Sequence, residues 1–412
     1  MAADAGRCLL RDHLSDLPDA ILISILSLLP LDEAARCTVL ASRWRGLFSP
    51  TLLLDFNAHM PGRRDVFAAV NSILAAQPTA PVRSFSAGSR FLRNKETSGG
   101  GWLQELARRG VEELSLDFDF QNRDHRIPTS LFDCASLKRL RAHDCTFPDV
   151  PRAGAGVGTA PAPLGRLAEI DLWHVSISDE TLNLLISQCT ALERLKMKGM
   201  SKCGLVHIQS PSLKVVSSDG NFDELFVEYA PNLEWLYGEY MYMKGGVSDG
   251  VCLKIAHAPK LNFLGYLGMN FRAIEIGETI FRSDTWSMIQ AAASESWDVL
   301  RHIPCVHNHL EKVVFEVYRG HEWQREIAKF LHGRSRFLKA MEFHCKFDVG
   351  KDYRKAQSVE WVRKEQELLC LDSRASKDAR FLFFKSQLVS NHWDICHHGW
   401  YKRNYYNEIY EV

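Results

Sequence analysis

The chain of 412 residues carries 50 lysines and arginines against 50 aspartates and glutamates, and 46% of its residues are hydrophobic. This balance of charge excludes a protein that binds nucleic acid or membrane surfaces through its overall field. The eleven cysteines form no C-x-x-C pair and the N-terminus lacks signal-peptide architecture. We therefore expect reduced, mostly buried thiols and a location in the nucleus or the cytoplasm.

Residues 12–56 predict a head of three short helices. Pro18 suits a first helical position, and Pro30 ends the helix that follows it. The third predicted helix, TVLASRWRGLF, contains Trp44. The first helix carries one apolar stripe: Ile21, Leu22, Ile25, Leu26 and Leu29. The leucines and isoleucines exceed what three short helices bury, so this surplus is covered either by another protein or by the rest of the chain.

The run L-x-x-L-P-D-x-I-L-x-x-I-L-S-x-L-P, with SRWR at residues 42–45, resembles an F-box. In that family the module binds a Skp-type adaptor, which tethers it to a cullin ubiquitin ligase. The resemblance implies an adaptor-binding set of nine residues: Leu14, Leu17, Pro18, Leu22, Ile25, Leu26, Leu29, Pro30 and Trp44.

A repeated unit, [LV]-x-x-[LIV], follows a helical connector and cap at residues 57–110 and fills residues 111–304. Its spacing is typical of leucine-rich repeats, in which each unit adds one strand to a curved parallel sheet. We expect variable convex segments, some of them helical, such as DETLNLLISQC, and a surface insertion at 151–165. The units begin at Val111, Leu137, Leu167, Leu192, Leu213, Leu233 and Leu261.

Residues 305–390 resemble the FBD region of plant F-box proteins with leucine-rich repeats. Two predicted strands, HLEKVVFEVYRG and RFLKAMEF, flank a helix with Trp323, Ile327 and Phe330 on one face and Gly333 at its end. This region is expected to extend and cap the repeats, and the tail 391–412 matches no family. The fold class is thus α/β: a three-helix F-box, an irregular leucine-rich-repeat solenoid with a curved parallel sheet, and a C-terminal α+β cap.

In each repeat strand the leucines point inward, so the residues between them point out on the opposite, concave face. Charged side chains fill these positions in the early repeats, and aromatic ones fill them later. The aromatic side chains either contact a target or lie under a neighbouring loop. We predict a substrate-binding set on this face: Arg139, Arg141, Asp171, Trp173, Arg194, Lys196, Lys198, Trp235, Tyr237 and Phe263. Its other outward positions are Glu113, Ser115, Asp117, Glu169 and Ser217.

No catalytic motif such as G-x-S-x-G or H-E-x-x-H occurs, so we expect no catalytic residue and no cofactor. The tail offers three metal-type ligands at most from His392, Cys396, His397 and His398, and we interpret it as a polar tail without metal.

The resemblance implies a non-catalytic substrate receptor of an SCF-type cullin–RING ubiquitin ligase, with an unknown target protein and without nucleic-acid or membrane partners. A ligase-independent protein-binding scaffold and a small-molecule receptor on the same solenoid remain open.

Overall fold

The computed structural model falls into two compact units, residues 1–148 and residues 149–412. Across them the structure describes residues 16–29, 33, 36, 37, 39, 42–47, 53–56, 71, 74, 75, 81–88, 101–118, 125–150, 164–218, 222–238, 251–265, 267, 271–282, 304–345, 359–386 and 406–411.

The head begins with a helix, Asp19–Leu28, directly after Pro18 as predicted. The Pro18 carbonyl accepts the N–H groups of Ile21 and Leu22 at 3.0 and 3.2 Å, so proline starts the first turn without losing a needed donor. A second described helix spans Ser42–Leu47. Between them the structure describes four residues with helical backbone, and the three-helix arrangement stays a prediction: Glu33, Arg36, Cys37 and Val39.

The first unit continues into four parallel strands, paired in chain order. Two of them precede Val111, so the ladder begins before the first repeat that the spacing indicates. The helix Gly101–Arg108 and the 3-10 helix Thr129–Asp133 connect the later strands. The strands are β1 (Leu53–Phe56), β2 (Ser84–Gly88), β3 (Glu113–Asp117) and β4 (Arg139–His143).

The main sheet of the second unit contains the remaining repeat strands, followed by the strands of the FBD region, in the order β5-β6-β8-β10-β12-β15-β16-β17-β18. All described pairs are parallel except β17 with β18, which is antiparallel. Its strands are β5 (Glu169–Trp173), β6 (Arg194–Lys198), β8 (Val215–Ser218), β10 (Trp235–Gly238), β12 (Phe263–Gly265), β15 (Lys312–Tyr318), β16 (Ala340–Cys345), β17 (Arg380–Ser386) and β18 (Tyr406–Glu411).

A second sheet, in the order β7-β9-β11-β13-β14, occupies the connections between the main strands, where the sequence predicted variable and partly helical segments. Alternating residues of β9, including Leu225 and Val227, are buried, which explains why these connections are strands. The strands are β7 (Leu205–Gln209), β9 (Glu224–Tyr229), β11 (Val251–Ile255), β13 (Phe271–Ile276) and β14 (Thr279–Arg282).

The second unit contains three longer helices: Asp179–Gln188, Glu322–Arg334 and Val359–Leu368, of which the first two lie where the sequence predicted them. Gly333 lies inside the second of these rather than at its end. A short helix, Pro304–Asn308, and a 3-10 turn, Leu371–Ser373, complete the described helices. In the described part of the chain, no helix combines the length and apolar character needed to cross a bilayer.

A repeated backbone arrangement joins the main strands. The carbonyl before one strand accepts two N–H groups from the start of the next: Glu193 accepts from Lys214 and Val215 at 2.9 and 3.0 Å. The carbonyl of Asn262 accepts from Glu311 and Lys312 in the same way, at 2.8 and 3.0 Å. The FBD strands therefore continue the repeat ladder, which confirms the prediction that this region extends it.

The core of the main sheet consists of the inward residues that the repeat pattern predicted, such as Leu195, Val216 and Leu236. In the FBD region aromatic side chains take over this role. Phe315, Phe343 and Phe383 occupy matching register positions on β15, β16 and β17. Their rings are stacked, with centroids 5.3 and 4.6 Å apart. Such pairs add stability beyond the apolar area they bury.

Candidate protein-binding surfaces

Three buried side chains of the head, Leu22, Leu26 and Trp44, form its small core. Each is at most 6% exposed. All three belong to the predicted adaptor-binding set, yet they face one another rather than solvent. Partly buried side chains pack around them: Leu17, Ile25, Leu29, Cys37 and Leu47.

The arginine of the SRWR segment ties the two head helices together. The Arg43 Nη2 donates to the Leu17 carbonyl at 2.9 Å, and its Nε donates to the Asp19 carboxylate at 3.0 Å. Asp19 stands in the first turn of its helix, where a carboxylate is favourable beside the positive end of the helix dipole. The motif residues around Pro18 are thus held against the second described helix.

The apolar surplus of the head is exposed at Ile21 and Val39, which are 47% and 79% exposed. Pro18 is also exposed, whereas Leu14 and Pro30 lie outside the described residues. Ile21 belonged to the predicted helical stripe and Val39 to the third predicted helix. Neither was in the predicted adaptor-binding set, and exposure of a large aliphatic side chain is the signal that identifies them.

The outward positions of the main sheet form rows across the strands. Glu169, Arg194, Val215, Trp235 and Phe263 follow one another in register from β5 to β12. The neighbouring row contains Asp171, Lys196, Ser217 and Tyr237. In the second unit the structure brings together the predicted set on one face: Asp171, Trp173, Arg194, Lys196, Lys198, Trp235, Tyr237 and Phe263.

Charges on this face are arranged in pairs between adjacent strands. Arg194 pairs with Glu169 at 3.2 Å, and Lys198 lies 5.1 Å from the Trp173 ring centroid. In the first unit Arg139 pairs with Glu113 across β3 and β4, and Arg141 is exposed. Paired surface charges contribute little to stability, so their arrangement bears mainly on recognition.

Ser217 departs from the outward set, because it is only 1% exposed. Its register neighbours, Lys196 on β6 and Tyr237 on β10, carry far longer side chains. A small hydroxymethyl group between two long side chains is removed from solvent even on an outward face. Period-2 alternation gives the direction of a side chain and does not give its exposure.

A group of buried charged side chains on the outward face of β15 and β16 was not predicted. The His344 Nδ1 lies 2.9 Å from the Glu316 carboxylate, and its Nε2 lies 3.3 Å from that of Glu342. Lys312 pairs with the other oxygen of Glu342 at 2.7 Å. The sequence contains K-x-V-x-E in one predicted strand and E-x-H at the end of the next. The register between the two strands, which brings these side chains together, is not evident from the sequence.

The pKa values of this group follow from burial and hydrogen bonding. Burial lowers the pKa of His344, but hydrogen bonds to Glu316 and Glu342 raise it more, so it lies above the ordinary value. Burial raises the pKa of Glu342, while His344 and Lys312 lower it more, so it lies below the ordinary value. Since the two imidazole nitrogens contact different carboxylates on opposite sides of the ring, these residues do not converge on one metal position.

Across the residues that the structure describes, no group of three metal-type ligands is close enough to hold an ion. The tail residues His392, Cys396, His397 and His398 lie outside them. Among the buried thiols, burial and then Asp144 raise the pKa of Cys145. Such a thiol stays protonated and is a poor nucleophile.

A small cavity of about 20 Å³ lies between the two sheets of the second unit. It has space for about one water molecule. Its lining is mostly apolar and includes Phe222, Leu225, Leu236, Leu253 and Leu267. As described, it is far smaller than the pockets that enclose small-molecule ligands.

The parallel ladder, its repeated carbonyl arrangement and its aromatic C-terminal strands define a leucine-rich-repeat protein with an FBD region. Residues 100–297 match the family model described as FBD-associated F-box protein At5g56370, LRR repeats, and residues 301–343 match the FBD model. The chain is similar to the plant F-box/LRR-repeat proteins that carry an FBD region, which confirms the resemblance found in the sequence.

Several relatives come from Arabidopsis thaliana. The F-box/FBD/LRR-repeat protein At1g13570 is 29% identical over 58% of this chain and 56% of its own length. The F-box/LRR-repeat protein At3g59190 is 33% identical over 61% and 65%. The F-box/FBD/LRR-repeat protein At5g56420 is 25% identical over 78% and 88%. The first two alignments thus span less than two thirds of the relatives' own lengths.

Proposed function

We propose that the protein is a non-catalytic substrate receptor of an SCF-type cullin–RING ubiquitin ligase. Its head binds a Skp-type adaptor, and its outward sheet face binds the target protein. The relatives are named F-box/FBD/LRR-repeat proteins, which supports a protein-interaction role. The mechanism is proximity, because a receptor that holds a target near the ligase raises the effective concentration of the reactants.

The observation that carries the adaptor half of the proposal is the exposure of two large aliphatic side chains of the head, Ile21 and Val39. Leu22, Leu26 and Trp44 stabilise the head, while Pro18, Ile21 and Val39 supply contact area. Apolar side chains exposed this far on a small helical unit are typical of a docking site.

The target half of the proposal rests on the outward rows of the main sheet. Trp235 is 43% exposed although it stands in the middle of the sheet, and the basic side chains of β6 lie two strands away from it. Tryptophan and arginine are the residues that most often dominate binding energy at protein interfaces. A nuclear or cytoplasmic location fits this role.

Proximity labelling by the full-length protein in plant cells treated with a proteasome inhibitor tests the target half. Changing Lys196 and Lys198 to glutamate together with Trp235→Ala should remove one set of labelled proteins while adaptor labelling stays unchanged. The matched control combines Lys364→Glu, Lys377→Glu and Phe337→Ala, which alter exposed side chains away from the outward face. An identical labelled set in both variants would contradict target binding on this face.

Proximity labelling and native mass spectrometry separate the two competing functions. A ligase-independent scaffold predicts target labelling without a Skp-type adaptor. A small-molecule receptor predicts an added ligand mass in native mass spectrometry of the purified chain.

A further inference from the structure

The outward face of the second unit changes character abruptly between neighbouring strands. Strand β6 presents Arg194, Lys196 and Lys198, which we call the basic strand. The next three main strands, β8, β10 and β12, carry no charged side chain at all. Their large outward side chains are aromatic, and we call Trp235, Tyr237 and Phe263 the aromatic platform.

The three rings of the aromatic platform pack against one another in the unbound chain. The rings of Trp235 and Phe263 are stacked with centroids 4.8 Å apart, and the Tyr237 ring meets Phe263 edge-on at 6.1 Å. Gly265 makes this possible, since a Cβ there would lie 2.4 Å from the Phe263 ring. On the far side Lys312 lies 6.0 Å from the centroid of Phe263. A preorganised apolar surface loses little entropy on binding.

The basic strand adds a positive region beside the platform. The neighbouring strand β5 places two carboxylates and one aromatic ring in register with the basic strand: Glu169, Asp171 and Trp173. No ion pair joins Lys196 to another residue in the described part of the chain. This region therefore favours an anionic group of the partner. The aromatic platform beside it favours an apolar group of the same partner, at a fixed distance from the anionic one.

Strand spacing fixes that distance. Neighbouring strands lie about 4.8 Å apart, so the basic strand is about 10 Å from β10 and about 14 Å from β12. An extended peptide that crosses the strands advances about 3.3 Å per residue. Successive side chains of an extended segment point to opposite faces, so one over the basic strand and one over the platform stand four positions, about 13 Å, apart.

We propose that this face recognises an extended target segment in which an acidic residue stands four positions from a large aromatic residue. The inference rests on the proposed function and names the chemistry of the target. Single-stranded nucleic acid also combines negative charge with stacking bases, but its affinity depends on many phosphate contacts. Three cations opposite two carboxylates supply few such contacts, which favours a peptide.

Fluorescence anisotropy with the full-length protein and labelled synthetic peptides tests the proposal. The peptides carry one glutamate and one tryptophan separated by one, three, four or eight neutral residues, in both chain directions. We expect the peptide with three intervening residues, in which the two side chains stand four positions apart, to bind at least about tenfold more tightly than the others. A single-stranded RNA of similar length is the competing ligand.

Variants assign the two halves of the site. Lys196→Glu should weaken the best peptide about tenfold and reduce its dependence on salt, whereas Trp235→Ala should weaken it equally at all salt concentrations. The exposed positions Lys377→Glu and Phe337→Ala are the matched controls and should leave binding unchanged. Thermal unfolding confirms that each variant is folded.

Equal affinity for all spacings, tighter binding of the RNA, or unchanged binding by both site variants would overturn the inference. Adaptor capture, measured on the same preparation, separates this failure from that of the proposed function. Adaptor capture without spacing-dependent peptide binding contradicts only the recognition rule. Spacing-dependent binding without adaptor capture contradicts the ligase role and leaves the recognition rule intact.

Discussion

The imidazole of His344 lies between the Glu316 and Glu342 carboxylates on the outward face of β15 and β16, and it is 5% exposed. Lys312 balances the second carboxylate and also lies over the Phe263 ring. The Phe384 ring meets the imidazole edge-on from β17. The FBD strands thus position one cation of the recognition surface through a chain of buried charges.

The stability of the protein should depend on the charge of His344. Because its folded pKa lies above the ordinary value, its stabilising contribution is present below about pH 6.5 and is lost as pH rises through the folded pKa. Glu342 acts in the opposite sense, since its lowered pKa stabilises the fold until the pH falls through that value. His344→Gln should therefore flatten the fall in melting temperature from pH 6 to pH 8, roughly the histidine range.

His257→Gln is the control, because His257 is exposed and stacks on Tyr229 in the second sheet. A pH profile that is the same for His344→Gln and the unmodified chain would show that the imidazole charge does not contribute to stability.

A second cluster of charged and polar side chains joins β15 to the FBD helices. Glu365, whose side chain is 2% exposed, accepts hydrogen bonds from Arg325 at 2.6 and 2.9 Å and from the Tyr318 hydroxyl at 3.1 Å. Gly320, with φ of 71°, passes so close that a Cβ would lie 2.8 Å from this carboxylate. Only glycine fits both the backbone and the space.

Gly320→Ala should destabilise the protein by about 1–3 kcal/mol, as expected for a strained left-handed residue. Gly333→Ala is the matched control. It lies inside a helix with no atom within 4 Å of the added carbon, and should stabilise by up to about 1 kcal/mol. Chemical denaturation of both variants measures the difference, and equal stabilities would contradict this account of Gly320.

At the scale of elements, the edge of the second sheet is covered by the helix Asp179–Gln188. The Asn183 side chain accepts the His207 N–H at 2.8 Å and donates to the Leu205 carbonyl at 3.1 Å, as a neighbouring strand would. Asp179 accepts the Gly204 and Leu205 N–H groups at 2.7 and 3.2 Å. Unpaired edge strands invite aggregation, and these side chains occupy the edge of β7.

Asn183→Leu should remove both edge hydrogen bonds and cost about 1–3 kcal/mol. It should also promote aggregation on heating, which light scattering measures. Gln188→Leu adds a similar apolar group to the same helix without touching β7, and should leave both quantities unchanged. Equal aggregation of the two variants would mean that the edge is not protected by Asn183.

The repeat strands were predictable because their signal is both periodic and local. Each inward leucine recurs two or three positions from the next, and a small residue or proline precedes it. The second sheet was not predicted, because no small residue or proline stands at a shared position before β9 and β11. These strands pair with each other although they are distant in the sequence, and the main strands hold them at pairing distance. Ser217 and the Glu316–His344–Glu342 group depended on register between strands, which spacing along the chain does not contain.

In the head, too, the sequence did not predict which side chains are exposed. Helical periodicity placed Leu22 and Leu26 on one stripe, and the structure buries both. The same stripe included Ile21, which is 47% exposed, because the helix turns Leu22 and Leu26 rather than Ile21 toward Trp44. Which apolar residues of a small module face outward depends on that packing.

For the whole molecule, the FBD region completes the main sheet of the second unit. Lys312 and Val313 on β15 pair with Phe263 and Leu264 on β12, and the aromatic stack of β15, β16 and β17 continues the core. Helix residues Trp323, Ile327 and Phe330 are buried, as the sequence predicted.

Deleting residues 305–412 should expose the β12 edge and the apolar side chains beneath it. Truncating a single core aromatic costs about 3–5 kcal/mol, so losing the whole stack exceeds the stability of a typical domain. We expect insoluble protein on expression. A soluble, monomeric truncation with an intact strand signal in circular dichroism would contradict this dependence.

Binding of the full-length protein to a purified Skp-type adaptor tests the central claim most directly. Size-exclusion chromatography with light scattering should show a one-to-one complex of the unmodified chain. The exposed-residue variant Ile21→Glu with Val39→Glu should lose it, while Val359→Glu, at a comparably exposed site in the FBD region, should retain it. Separate elution of the unmodified chain and the adaptor, or a complex that survives both head changes, would contradict the assignment.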